Sequence, residues 1–512
     1  MPPSPAATPE ATSRARWWIL VVIACAQLMV VLDSTIMIIA LPSAQHALGF
    51  SDTDRQWVVT AYTLGFGGLL LLGGRISDMV GPKRTLLVGV VGFALASALG
   101  GAAQNTAMLI GARALQGSLG ALLAPSVLSI LTTTFTDPHE RGRAFGTYAA
   151  IAVGGAAFGL IAGGFLTQYL DWRWCLYVNL PIAALVATGT AMLVPGHAGL
   201  HRVKLDVPGA VLGTGGLIAL VYALGEAGAV GWSAASVLGS LSAAALLLAA
   251  FVVLQARVRN PLLPLRILTN RNRGGALLTI MLAVVGMYGT FLFLTYLLQT
   301  VDGYSPLKAG VAFLPLLVVN GIVATQIASR LMVRLSTRLL VVPGLAVAAL
   351  GVVLLTGLTP DASYAAHVLP TELLLGLGLG LAIVPCVSTA TSNAEPRDVG
   401  VTSAATNTAQ QIGASIGTAL LNTLAASATA AYLATHAHTA ASEAAATVHG
   451  FASASAWAAG SLALAAVLGG ILINAHPGRA AATAGGEPAE AAAAGPAAGV
   501  ELSYADPSSP RA

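Results

Sequence analysis

Fourteen stretches of this sequence stay apolar for long enough to cross a bilayer as helices, and they limit the fold more than any other feature. They run at roughly 17–41, 56–75, 85–104, 107–134, 144–168, 174–194, 207–226, 233–255, 275–299, 309–329, 339–358, 367–391, 401–424 and 451–474. A backbone in lipid must satisfy its own polar groups, which at these lengths means helices. Charge content agrees: 9% of the 512 residues are charged, against roughly 25% in soluble domains. The expected fold class is therefore an all-α polytopic membrane protein with 14 transmembrane helices. Its 57 glycines suit that class, because small residues let helix backbones approach closely in lipid.

Lys and Arg set the orientation. With the N-terminus in the cytoplasm, twenty of the 24 fall in cytoplasmic segments. Arg55, Arg173 and Lys308 fall outside, and Arg113 lies within a span. A missed helix would scramble this bias. Trp57, Trp172, Trp174 and Trp232 are expected at the external boundary, as an aromatic belt. Both termini are then cytoplasmic, and residues 1–16 and 475–512 are expected to be disordered. The stretch 425–450 reads either as an external loop or as an extension of the thirteenth span. A cleaved signal peptide is the weaker reading of the first span, which is longer than such a segment and contains Asp33.

Several function classes are disfavoured. The net charge of +4 is spread over short loops, which does not suit nucleic acid. Cys25, Cys175 and Cys386 form no CxxC or His/Cys cluster, so they read as packing residues, with no disulfide and no metal site. No GxxxxGK[ST] sequence offers an ATP site. A membrane-embedded enzyme would need clustered His, Asp or Glu at membrane depth. The expectation is thus no catalytic residues and no cofactor. The expected partners are protons, a small-molecule substrate and the lipid bilayer, for a chain acting as a monomer.

The chain repeats itself. The loop after the second span, GRISDMVGPKRTLLV from Gly74, aligns without gaps on SRLMVRLSTRLLV from Ser329, after the tenth. Arg75 meets Arg330 and Lys83 meets Arg338, while Asp78 meets Val333. This implies two six-helix halves, 17–195 and 274–474, with two helices inserted in the linker 196–273. Transporters built on such repeats hold their site between the halves.

Asp33 lies inside the first apolar run, where a carboxylate costs on the order of 3 kcal/mol or more. It should face the bundle interior and gain and lose a proton. Arg113 is the one basic residue well inside the spans, and Gln116 follows it on the same helical face. These are read as the proton-coupling pair, Asp33 and Arg113, with Gln116 alongside. Met29 and Met37 flank Asp33 at i−4 and i+4 and could line a substrate cavity, because thioethers are flexible and polarisable. Tyr288, Phe291, Thr295 and Gln299 share a face of the ninth span. With Asn320 they are read as the second half's share of that cavity. Ordinary helix packing competes for each of these residues. Glu226 and Glu372 read as interfacial, with Glu372 a candidate for the external vestibule, and His436 and His438 as a solvated loop.

Several motifs, in order, resemble the major facilitator superfamily, and more closely its fourteen-span drug:proton antiporter family (EmrB/QacA-like). They are Leu32-Asp33-Ser34-Thr35 with Ala40-Leu41-Pro42, Trp57 to Leu64, Gly74 to Arg84, Arg113-Ala114-Leu115-Gln116-Gly117, and Trp172 to Pro181. The resemblance runs from about residue 15 to about 475. It implies the major facilitator fold and a cytoplasmic gate at Gly74, Asp78, Gly81, Lys83 and Arg84. There Asp78 would reach across the halves to the start of span 13, near Val401-Thr402-Ser403. In the fifth span the family's antiporter motif is matched by Gly155, Gly159, Gly163 and Gly164, expected to pack closely against a neighbour. Leu160 stands where the family has Pro, and Met79 and Pro82 replace usual basic residues. The function implied is a proton-motive-force-driven exporter of small, mostly apolar or cationic toxic compounds or secondary metabolites, in the bacterial plasma membrane. A proton-coupled importer on the same fold is the alternative.

Overall fold

The computed structural model describes residues 13–135, 137–196, 206–258, 261–332, 334–359, 363–392, 399–436 and 439–474. The tail 475–512 and residues 1–12 lie outside the described residues, while 13–16 already belong to the first helix. Among the described residues, fourteen long helical rods follow one another. They are α1 (Ser13–Leu48), α2 (Asp52–Val80), α3 (Pro82–Gly101), α4 (Thr106–Thr134), α5 (Pro138–Tyr169), α6 (Trp174–Leu193) and α7 (Val207–Val230). Then come α8 (Ala235–Arg257), α9 (Arg271–Val301), α10 (Pro306–Leu331), α11 (Thr337–Gly357), α12 (Tyr364–Thr391), α13 (Val399–Leu433) and α14 (Ala440–Leu472). Among the described residues, 13 of them are long and apolar enough to cross a membrane. The other, α5, is 32 residues long and packs along α1 where the fifth span was expected.

The turns are short, and each must satisfy the first free N–H groups of the next helix. Side chains do this at several starts: Ser51 accepts from Asp54 N before α2, Asn105 from Met108 N before α4, and Asn270 from Arg273 N before α9. Thr439 and Ser442 form a reciprocal capping box at the start of α14. The stretch 425–450 is therefore mostly helix: α13 runs on to Leu433 and α14 begins at Ala440.

Packing reveals the internal repeat. In the first six helices α1 packs on α4, α5 and α6, α2 and α3 pack on α4, and α3 packs on α6. In the last six α9 packs on α12, α13 and α14, α10 and α11 pack on α12, and α11 packs on α14. The second set is the first displaced by eight helices, so the chain forms two six-helix halves of one design. They meet along α2–α13 and α5–α10, two seams that the repeat exchanges. The inserted pair sits outside one seam: α7 lies against both α2 and α13, and α8 lies against α7. Apolar side chains such as Val88, Leu95, Met192 and Leu246 point outward, as helices surfaced by lipid require.

Hydrogen bonds between the halves cluster from mid-height toward the end that carries the α1–α2 turn. Arg55 donates to Asn422, Tyr296 Oη to Gln45 Oε1 (2.6 Å), and Gln299 Nε2 to the Ile39 carbonyl (3.0 Å). At mid-height the hydroxyls of Thr63 and Ser415 are 2.6 Å apart. The opposite end carries the α2–α3 turn. One feature of the expected aromatic belt is corrected here: Trp174 and Trp232 are exposed, but Trp172 is buried, with the Arg173 guanidinium 4.6 Å above its ring.

Candidate functional site

Asp33 lies mid-way along α1 and has no exposed surface. The crossing of α1 with α4 brings it to Arg113, which is 2% exposed. Arg113 Nη1 donates to Asp33 Oδ2 at 2.7 Å and to Gln116 Oε1 at 2.6 Å. Gln116 Nε2 donates to Asp33 Oδ1 at 2.7 Å. A third donor comes from α6, where Asn179 Nδ2 reaches Asp33 Oδ1 at 2.8 Å. Pro181 has no N–H for the carbonyl four residues back, and α6 is interrupted at Val178, directly before Asn179. Ser97 of α3 closes the network: it accepts from Gln116 (3.1 Å) and Asn179 (2.9 Å) and donates to the Leu176 carbonyl (2.8 Å). Every neighbour donates to Asp33, the arrangement an ionised carboxylate requires at this depth.

Arg113 is held from behind as well. Its guanidinium carbon lies 4.3 Å from the Tyr62 ring centroid, and its Nε points at the Val58 carbonyl (3.4 Å). Close approach of α2 to α4 makes this possible. A Cβ at Gly117 would stand 2.1 Å from the Tyr62 carbonyl oxygen, so only glycine lets the two backbones meet there. Ser97, Asn179 and Tyr62 are the members that reading the sequence did not assign.

The expected substrate-cavity residues are scattered. Met29 and Met37 are fully buried in two separate apolar clusters, one on each side of Asp33. Gln116 belongs to the Asp33 network. Phe291 stacks on Phe313 with centroids 5.1 Å apart, and Thr295 Oγ1 is spent on the Phe291 carbonyl of its own helix (2.8 Å). Gln299 links the halves, and the Asn320 amide turns to the Gly376 carbonyl in the α10–α12 seam (3.4 Å). Tyr288 is half-buried. Neither of two described cavities touches any of them. One, of about 410 Å³, lies between α1 and α5, lined by Leu20, Ala24, Leu28 and Ile151 among others; one of about 480 Å³ lies on the face of α6. The helical period gave the face of each residue but not the neighbour that the face meets.

Gate residues divide likewise. Gly81 joins α2 to α3 at φ 98°, a conformation that favours glycine. Lys83 Nζ donates to the Ala191 carbonyl (2.9 Å) in the last turn of α6, where a cation suits the helix end. Gly74 has ordinary space around it, and Arg84 is exposed. Asp78 is exposed and makes no hydrogen bond among the described residues, so the expected bridge to Thr402 and its neighbours is not formed here.

The glycine stripe of α5 faces α1. A Cβ at Gly155 would meet Leu28, at Gly159 Thr35 and Leu32, and at Gly163 the Ile36 backbone. Gly164 turns instead to Leu307 of α10, across the seam between the halves. Two residues sit deeper in the protein than the sequence suggested. Arg55, at the α1–α2 end, is 5% exposed and lies 4.2 Å over the Tyr296 ring, so Arg113 is not the only buried guanidinium. Glu372, read as interfacial, is fully buried, because this part of α12 lies against α10, where a Cβ at Gly376, one turn on, would meet the Leu316 carbonyl. His436 stacks on Tyr432, and His438 lies outside the described residues.

A family model described as Major Facilitator Superfamily matches residues 23–418. The chain is 51% identical over 461 residues to the puromycin resistance protein pur8 of Streptomyces alboniger, covering 90% of this chain and 92% of that protein. It is 39% identical over 422 residues to the cephamycin export protein CmcT of Amycolatopsis lactamdurans, covering 81% and 87%. Among solved structures it is similar to a bacterial homologue of the human lysosomal transporter Spinster, with a TM-score of 0.64 at 15% identity over 90% of this chain and 97% of that one.

Proposed function

The chain belongs to the major facilitator superfamily, and on that premise we propose that it is a drug:proton antiporter, exporting small apolar or cationic toxic compounds or secondary metabolites. The observation that carries this reading is the enclosed carboxylate of Asp33, held by Arg113, Gln116 and Asn179 at mid-height in one half. A charge so deep is costly unless it is used. Relatives named for puromycin resistance and cephamycin export support the direction and the substrate class. An inward proton supplies about 2.3 kcal/mol per 100 mV. A proton taken up by Asp33 would break the Asp33–Arg113 pair, free Arg113 and Gln116 to re-pair, and so bias the halves toward their other arrangement.

With Lys and Arg retained on the cytoplasmic side, both termini and the α2–α3 turn face the cytoplasm of a bacterial plasma membrane. The inter-half bonds then close the external end, and Asp78, exposed and without a hydrogen bond among the described residues, belongs to a gate that is open inward. In this conformation the substrate would enter from the cytoplasm or the inner leaflet. The test is efflux of puromycin and of ethidium from energised cells, comparing wild type with Asp33→Asn at matched membrane abundance. Loss of efflux in the variant is expected. Equal efflux would refute the role of Asp33, and uptake driven by an inward proton gradient would reverse the proposed direction.

A further inference from the structure

A second acid is buried in the other half, and its surroundings are the reverse of those at Asp33. Glu372 sits near the start of α12 with no exposed surface. Its helical face continues one turn on to Gly376, whose Cβ would stand 2.5 Å from the Leu316 carbonyl of α10. The carboxyl is therefore enclosed in the α10–α12 seam. Oε2 lies 3.2 Å from Tyr364 Oη, and Oε1 has no hydrogen-bond partner.

Counting protons points to the neutral form of this acid. Tyr364 Oη has one proton to give and also lies 2.7 Å from the Ala312 carbonyl, which can only accept. The shorter contact takes the proton. The 3.2 Å contact is then a hydrogen bond only if Glu372 supplies the second one, giving the chain Glu372 O–H to Tyr364 Oη to Ala312 carbonyl. An ionised Glu372 would have to compete with the Ala312 carbonyl for the one Tyr364 proton, and its charge would face at most that single donor among the described residues.

The charged and titratable groups nearby leave it uncompensated. On its own rod His367, one turn before, has a buried Nδ1 without a partner. On α10, Lys308 is engaged over the Tyr304 ring at 3.5 Å, and Asp302, in the turn before α10, faces Lys308. No ion pair reaches Glu372 among the described residues.

We propose that Glu372 is a second proton-binding carboxyl of this transporter, neutral in the conformation seen here and ionising when the α10–α12 seam admits water. Its O–H bond breaks to release the proton to that water, and the carboxylate takes one back as the seam closes. Among the described residues, each half then carries one fully buried acid, Asp33 among donors and Glu372 beside an acceptor. The neutral state stands on geometry alone; the cycling rests on the proton-coupled reading above.

Infrared spectroscopy of the purified full-length protein near neutral pH separates the two. Wild type and Asp33→Asn should both show the C=O stretch of a protonated carboxylic acid, and Glu372→Gln should lose it. In everted vesicles, Glu372→Gln, a permanently neutral isostere, should export ethidium at least about tenfold more slowly, equivalent to about 1.4 kcal/mol. Glu372→Asp should recover part of that rate with a displaced pH profile, which a purely structural side chain would not move. An unchanged band in Glu372→Gln, or a wild-type rate and pH profile in that variant, would overturn the proposal. Loss of export in Asp33→Asn has no bearing on the band, so the two readings fail separately.

Discussion

Replacing Arg113 with Leu should destabilise the folded chain by about 3–5 kcal/mol, the cost of leaving a buried charge without its partner. The structure says where that energy goes. Asp33 loses its Arg113 donor at 2.7 Å and keeps Gln116 and Asn179. Gln116 Oε1 loses a donor at 2.6 Å, and the Tyr62 ring loses the guanidinium 4.3 Å above it. Most of the loss is the stranded carboxylate, so removing its charge should recover much of it. The double variant Asp33→Asn/Arg113→Leu puts a neutral amide at position 33, which can still accept from Gln116 and Asn179 and can donate to Gln116 Oε1. It should be more stable than the sum of the two single changes by about 2 kcal/mol, within the usual range for residues in contact. The assay is reversible unfolding in mixed micelles at increasing dodecyl sulfate, followed by far-ultraviolet circular dichroism, with all four members of the cycle. Additivity to within about 0.5 kcal/mol would mean that the pair is not energetically coupled, and would refute the account of the site.

Two other measurements test the packing and the turns. Gly117→Ala should cost about 1–3 kcal/mol, because its Cβ would meet the Tyr62 backbone and not a mobile side chain. Gly111→Ala on the same helix meets nothing within 4 Å and should be neutral or stabilising by up to about 1 kcal/mol, so equal effects at the two sites would refute the close approach of α2 and α4. In the α9–α10 turn, burial pushes the Asp302 carboxyl above its usual range, with Lys308 partly opposing. The folded state thus holds this proton more tightly than the unfolded one, and stability falls as pH rises through the carboxylate range. Asp302→Asn should raise the unfolding midpoint near neutral pH and leave it unchanged below that range; a gain only in acid would contradict the sign.

Much of the fold was legible because lipid makes its demands in the sequence itself. Long apolar runs fix the helices, and the paired loops after α2 and α10 reveal the repeat. Where α7 and α8 would dock was not legible, since contact with α2 and α13 leaves no periodic signal in either partner. The site divides the same way. Asp33, Arg113 and Gln116 stand out because ionic and amide groups are anomalies in an apolar run. Ser97 and Asn179 do not, because small polar residues are ordinary in membrane helices, and their selection depends on how α3 and α6 cross α1. Glu372 was misread for a related reason: nearness to a span's end suggests an interface unless one knows that the turn folds inward.

The seams explain how two tightly packed halves could still rock against each other in the proposed cycle. On α2–α13, Gly67 lies under Gln411, and on α5–α10, Gly164 faces the Leu307 backbone while Gly310 faces the Leu160 carbonyl. These contacts bring backbones together with few large side chains to withdraw. Closure at the α1–α2 end rests instead on Arg55 with Asn422, Tyr296 with Gln45 and Gln299 with the Ile39 carbonyl. Water can replace such bonds at modest cost when that end opens, which an interlocked apolar plug would not allow. The departure at Leu160 fits this picture. A proline there would free the carbonyl four residues earlier and kink α5, whereas the approach to α10 depends on Gly310 having no Cβ 2.3 Å from the Leu160 carbonyl. The substitution therefore removes a kink while leaving intact the contact on which that seam is built.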